Sequence, residues 1–165
     1  MKIPGKTIRE KVVVFIASGF GTSLAAPFAP GTFGSIPGVL LALWTVTMPL
    51  ALQIVFAVGL SLLAIPICTA AEKVFARKDD GRISADEWML FPVAVAGLPL
   101  LQTWWLLPAA FVVVRIVDIV KPWPARGLQR LPAGYGIVVD DFVANLYSLG
   151  VNWCIWLLYC RYFAS

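Results

Sequence analysis

Sixty consecutive residues, 12–71, carry no charged side chain. A water-soluble domain needs charge on its exposed faces, and a stretch this long supplies none. Two shorter uncharged stretches follow, 27 residues at 88–114 and 19 at 142–160. The 22 charges gather at 2–11, 72–87 and 115–141, with Arg161 alone near the end. They make up 13% of the 165 residues, about half the usual share of ~25%. The pattern excludes an ordinary soluble enzyme, a disordered chain and a disulfide scaffold. It predicts an all-α, polytopic integral membrane helical bundle, since a helix satisfies its backbone groups within one segment.

Residues 1–165 read as a single membrane-embedded domain. Segment 1–35 is expected to be a basic surface helix and a loop. Its part 12–35 contains Ala29-Pro30-Gly31-Thr32-Phe33-Gly34-Ser35, too rich in glycine and proline for a straight span. A re-entrant or interfacial loop fits better, provided that protein covers its backbone. Segments 36–71 and 88–114 are predicted to be helical hairpins, turning at Met48-Pro49 and near 98–103, and 142–160 the last span. About 20 residues cross a bilayer, so 36–48 is short and 50–71 is sufficient. Lys2, Lys6, Arg9 and Lys11 before 12–17 imitate a signal peptide, but Gly19 and Gly21 interrupt the apolar core and no cleavage is expected.

Lys and Arg concentrate in 1–11, 72–87 and 121–130, and the hairpin turns carry none. All three segments should therefore face the cytoplasm, and five crossings would leave the C-terminus outside. This placement makes the net charge of +4 a membrane-orientation signal, and no nucleic-acid partner is expected. Cys68, Cys154 and Cys160 lack metal-ligand spacing and read as small core or lipid-facing residues.

Seven of the nine acids fall in four groups beside apolar spans: Asp79-Asp80, Asp86-Glu87, Asp118 and Asp140-Asp141. A carboxylate near hydrocarbon is costly unless paired, hydrated or metal-bound. Structural readings compete at each group. Asp79-Asp80-Gly81 is a turn sequence, Ser84 to Glu87 matches a capping box, and Asp140-Asp141 could favour the start of the final helix. Asp118 lies three residues after Arg115 and three before Lys121, on one helical face. That trio is either a self-neutralising network or a ligand carboxylate flanked by two phosphate-binding cations. With no histidine in the chain, oxygen ligands favour a hard cation such as Mg²⁺. The loop 30–35 could offer backbone N–H groups to an anion, although it lacks a P-loop ending.

Four motifs occur in order: Ala29-Pro30-Gly31-Thr32-Phe33-Gly34-Ser35, Asp86-Glu87, Arg115-Ile116-Val117-Asp118-Ile119-Val120-Lys121-Pro122-Trp123-Pro124, and Gly134-Tyr135-Gly136-Ile137-Val138-Val139-Asp140-Asp141. Together they closely resemble the phosphatidylglycerophosphatase A family. The resemblance implies a bacterial inner-membrane, Mg²⁺-dependent enzyme of glycerophospholipid synthesis that converts phosphatidylglycerophosphate to phosphatidylglycerol. It implies Glu87, Asp118, Asp140 and Asp141 as catalytic and metal-binding acids with Asp86 close by. Arg115, Lys121 and the loop residues Thr32, Gly34 and Ser35 would hold phosphate. Ala133 departs from the pattern, standing where many relatives have glycine, and so do Asn145 and Leu90. The competing expectation is a small membrane transporter for a cation or anionic solute using the same acids.

Overall fold

A computed structural model describes residues 3–26 and 28–163. All regular structure among them is helical: α1 (Ile8–Ala17), α2 (Thr22–Ala25), α3 (Pro30–Gly34), α4 (Ile36–Thr45), α5 (Leu50–Phe75), α6 (Ala85–Ala94), α7 (Leu106–Val120), α8 (Ala125–Leu128) and α9 (Gly134–Phe163). The predicted all-α class is observed.

Two helices reach membrane-spanning length. α5 has 26 residues and α9 has 30, about 39 and 45 Å at 1.5 Å per residue, against a hydrocarbon core of about 30 Å. Both are apolar, and only 22% of each most apolar stretch is buried within the protein. Leu52, Val55, Leu62, Leu63, Leu157 and Leu158 point outward, a face suited to lipid and unsuited to water.

The other expected spans are shorter than the sequence suggests. α4 and α6 have ten residues each and α7 has 15, so 88–114 is not a pair of full-length arms. Pro92 removes an amide donor within α6, and the chain beyond Val95 runs through turns, with Gly97 at φ +74°. Nine of the ten α6 residues are buried, and the helix packs against α4, α5 and α9. Its all-round apolar surface marks the centre of a bundle instead of a lipid-facing span. In lipid the hydrophobic effect does not drive such packing, so small residues and close contact must; Ala85 and Ala94 are fully buried in α6.

The last helix begins at Gly134, before the predicted 142. Pro132 cannot continue a preceding helix, and Ala133 takes a left-handed φ of +51°, which explains why glycine suits that position. Gly134 then donates its N–H to Thr69 Oγ1 at 3.1 Å. A Cβ on Gly134 would collide with the Ile65 carbonyl oxygen of α5. Glycine there serves helix–helix approach and not a loop.

Near the N-terminus, α1 runs across the predicted boundary between the basic segment and the apolar one. Thr7 and Glu10 form a reciprocal capping box at its start. The region predicted as a loop folds into the single-turn helices α2 and α3, with Ser35 N–H bonded to Gly31 O at 2.9 Å. Cys68 is buried, Cys154 exposed and Cys160 intermediate, and all three are free thiols, in line with the core or lipid-facing expectation.

The basic segments meet at one end of the bundle. Lys78 Nζ donates to the carbonyls of Gln129 and Leu131 at 3.0 and 3.1 Å. Arg9 of α1 and Lys73 of α5 line one hollow.

Candidate active site

Four chain segments deliver the charged residues to this same end. The first turn of α6 carries Asp86 and Glu87, the last two turns of α7 carry Arg115 and Asp118, its C-cap is Lys121, and α9 carries Asp140 and Asp141. Ser35, between α3 and α4, completes the set.

The side chains form one unbroken polar chain. Ser35 Oγ donates to Glu87 Oε2 at 2.7 Å. Arg115 Nη1 lies 3.0 Å from Glu87 Oε2 and 3.2 Å from Asp118 Oδ2. Lys121 Nζ lies 3.7 Å from Asp118 Oδ1, 2.5 Å from Asp140 Oδ2 and 2.9 Å from Asp141 Oδ1. The two sequence readings of the Arg115–Asp118–Lys121 trio thus share one geometry: the trio is paired internally, and it also connects to three more acids.

Backbone conformation lets Lys121 make these contacts. It caps α7 with φ +44°, a left-handed conformation costing roughly 1–2 kcal/mol for a non-glycine residue, before Pro122. Burial opposes the charge on Lys121, but Asp141 and Asp140 outweigh that cost and raise its pKa above the usual lysine value. The ammonium stays protonated.

Five acids and two cations give a formal excess of three negative charges if all are ionised. Asp86 Oδ1 and Asp140 Oδ1 are buried without a hydrogen-bond partner, as is Arg115 Nε. Orphaned oxygens suit a hard cation, and an orphaned guanidinium N–H suits an anion. The donors are all carboxylate oxygens, so in chemistry the residues fit Mg²⁺. Among the described residues no three acids converge on a common point; Arg115 and Lys121 stand between them.

The loop contributes unequally. Ser35 joins the polar chain, whereas Gly34 is buried against Ser23 and Ser84, and Thr32 makes no side-chain hydrogen bond among those described. Sequence reasoning missed Gly31, where a Cβ would run into Glu87 Oε1 and approach Arg115 Nη2 to 3.0 Å. The Pro30-Gly31 pair was the available signal.

Two structural expectations for the acids are corrected. Ser84 precedes α6 but makes no side-chain cap; its hydroxyl accepts from Ser23 Oγ at 2.7 Å, and Glu87 turns to Ser35 and Arg115. Asp140-Asp141 lie nearly two turns inside α9 and do not start it. The turn reading of Asp79-Asp80 holds, with Asp79 at φ +49° and Asp80 paired to Arg82 at 2.7 Å.

Two apolar helices of spanning length with outward-facing apolar side chains, and a buried acid–base network at one end, are the features of a membrane protein with a polar site. Comparison with known proteins places it more narrowly. The family model for phosphatidylglycerophosphatase A matches residues 15–156, and the chain belongs to that family. It is accordingly an enzyme of the phosphoric monoester hydrolase class. It is 34% identical over 147 residues to the phosphatidylglycerophosphatase A of Haemophilus influenzae, covering 87% of this chain and 89% of that one. It is 33% identical over 142 residues to the Escherichia coli protein of the same name, covering 85% and 81%. A Bacteroides thetaiotaomicron protein provisionally named a phosphatidylinositol-3-phosphatase is 33% identical over 140 residues, covering 82% and 87%. No solved structure matches.

Proposed function

We propose that this chain hydrolyses the terminal phosphate monoester of phosphatidylglycerophosphate, releasing phosphatidylglycerol and inorganic phosphate for glycerophospholipid synthesis. The reaction is assigned to the cytoplasmic face of a bacterial inner membrane and requires Mg²⁺. The polar chain from Ser35 through Glu87, Arg115, Asp118 and Lys121 to Asp140 and Asp141 carries the reading, together with its orphaned Asp86, Asp140 and Arg115 atoms. Relatives bearing the phosphatidylglycerophosphatase A name over most of their length support it.

Asp86, Glu87, Asp118, Asp140 and Asp141 would hold the cation. When bound, Mg²⁺ neutralises phosphate charge and orients or acidifies a water. Arg115 offers a planar fork and its free Nε–H to phosphate oxygens, and Lys121 a point charge. Thr32, Gly34 and Ser35 lie on the segment beside Gly31, the residue abutting Glu87 and Arg115, and frame the phosphate. Two routes to phosphorus fit this set: a water whose proton passes to a carboxylate, or direct attack by an aspartate. Acid quenching of a single turnover with labelled phosphate separates them, since only the aspartyl route leaves label on the protein.

The decisive assay presents phosphatidylglycerophosphate in detergent micelles to the purified protein. Phosphate release is expected with Mg²⁺ and should cease with chelator. No release under the Mg²⁺ condition overturns the reading, and cation or solute flux across liposomes in its place establishes the transporter. A phosphatidylinositol-3-phosphate arm tests headgroup choice; faster turnover there reassigns the substrate within the same chemistry.

A further inference from the structure

A large hollow lies away from the acid network. It measures about 850 Å³ between α1 and α5, with Arg9, Lys73 and Tyr135 among its polar lining and Val13, Ile65 and Pro66 among its apolar lining. Thr69 and Lys73 also line a second hollow of about 280 Å³ that reaches Arg77 and Lys78. Ile65 also lines a third, about 170 Å³, between α5 and α9 beside Leu62 and Phe142. The third is apolar except for Ser61, whose hydroxyl is already bonded to Ala57 O at 2.7 Å.

The acids lining these hollows are occupied elsewhere. Glu10 accepts the N–H groups of Lys6 and Thr7 at 2.5 and 3.3 Å, and Glu72 accepts that of Asp79 at 2.9 Å. Among the described residues, no carboxylate lies within ion-pair distance of Arg9, Lys73 or Arg77. The groove therefore has a net positive end, with Arg9, Lys73, Arg77 and Lys78 against Glu10 and Glu72, and an apolar body. From Lys73 to Val58 the hollows lie along 15 residue steps of α5, about 22 Å of helix, enough for an acyl chain in one leaflet of about 15 Å.

We propose that this groove holds one anionic glycerophospholipid of the surrounding leaflet, at a site separate from the acid network. Its headgroup phosphate sits on Arg9 and Lys73, and an acyl chain runs past Ile65 toward Leu62 and Phe142. The lipid ties α1, which packs mainly on α5, to the bundle. A free anion would use only the basic end and a zwitterionic lipid would gain less from it; charge and shape together select an anionic phospholipid.

The test uses the full chain in mild detergent and dioleoylphosphatidylserine, an anionic phosphodiester that is neither substrate nor product of the proposed reaction. Native mass spectrometry should show one tightly held lipid, at least ten-fold tighter than dioleoylphosphatidylcholine. Arg9→Gln with Lys73→Gln should remove that preference, while Arg9→Lys with Lys73→Arg retains it. Phosphate release from phosphatidylglycerophosphate in micelles should be unchanged in the Gln pair, and Asp141→Asn should leave lipid binding intact, so this site and the hydrolase reading can fail separately. Equal affinity for the two lipids, an undiminished preference in the Gln pair, or competition by inorganic phosphate at lipid-like affinity overturns the proposal.

Discussion

Lys121 joins three carboxylates and sits in a strained backbone conformation, so its removal has two distinct consequences. Truncating one partner of a buried ion pair typically costs about 3–5 kcal/mol, because the remaining charge is left uncompensated. Lys121→Met is expected to lower the unfolding midpoint in detergent sharply, and adding Asp140→Asn should recover part of that loss without restoring activity. Asp118→Asn and Asp141→Asn are expected to reduce phosphate release at least 100-fold with helical content preserved by circular dichroism; near-normal turnover in both refutes their assigned roles. Gly31→Ala should impair turnover more than stability, since its Cβ would displace Glu87 and Arg115 (the measurement is kcat beside thermal midpoint). Asp80 is a contrasting acid with a structural task. Hydrogen bonds from Arg82 hold its carboxyl below the usual range, against the opposing effect of burial. Its contribution is therefore full above about pH 4, the ordinary Asp value, and is lost as pH falls through the lowered pKa. Arg82 is largely exposed, so solvent screens the effect, and the expected readout is local: weaker amide protection at 80–84 below pH 4, absent in Asp80→Asn.

Helix lengths divide what the sequence reveals from what it hides. Residues 50–71 were legible as a span because an uninterrupted apolar run of that length has few other uses. α6 was not: a helix enclosed by other helices and one enclosed by lipid have the same composition, and only their neighbours distinguish them. Gly134-Tyr135-Gly136 is ambiguous for a related reason. Glycine signals both turns and close helix approach, and the partner here, Ile65 of α5, is distant in sequence. The acids were legible as a group because charge beside hydrocarbon demands an explanation wherever it occurs. Their pairing through Arg115 and Lys121 was visible only within α7, where helical periodicity fixes it. At this scale Gly134→Val should force α5 and α9 apart, an overpacking cost of about 1–3 kcal/mol, measurable as a lower unfolding midpoint with Asp141 still present.

Across the whole molecule, one apolar cluster (Ala85, Trp88, Ile137, Val138 and neighbours) flanks the acid network and a second lies farther along the bundle. The acid network occupies the end that also carries the basic loops. The cluster of Phe91, Val95, Leu98, Leu100, Leu106 and Ala110 fills the bundle beyond it. α6 runs from the acid network into this cluster and stops there, and neighbouring side chains satisfy the backbone beyond it. Asn152 Nδ2 donates to Ala94 O at 3.0 Å, Trp153 Nε1 to Ala96 O at 3.1 Å, and Gln53 Oε1 accepts from Gly97 N–H at 2.9 Å. These three side chains take the place of water where none is available. Their effect is to let a helix end inside the bundle with the amide of Gly97 and the carbonyls of Ala94 and Ala96 all engaged, so the chain turns there without drawing solvent into the core.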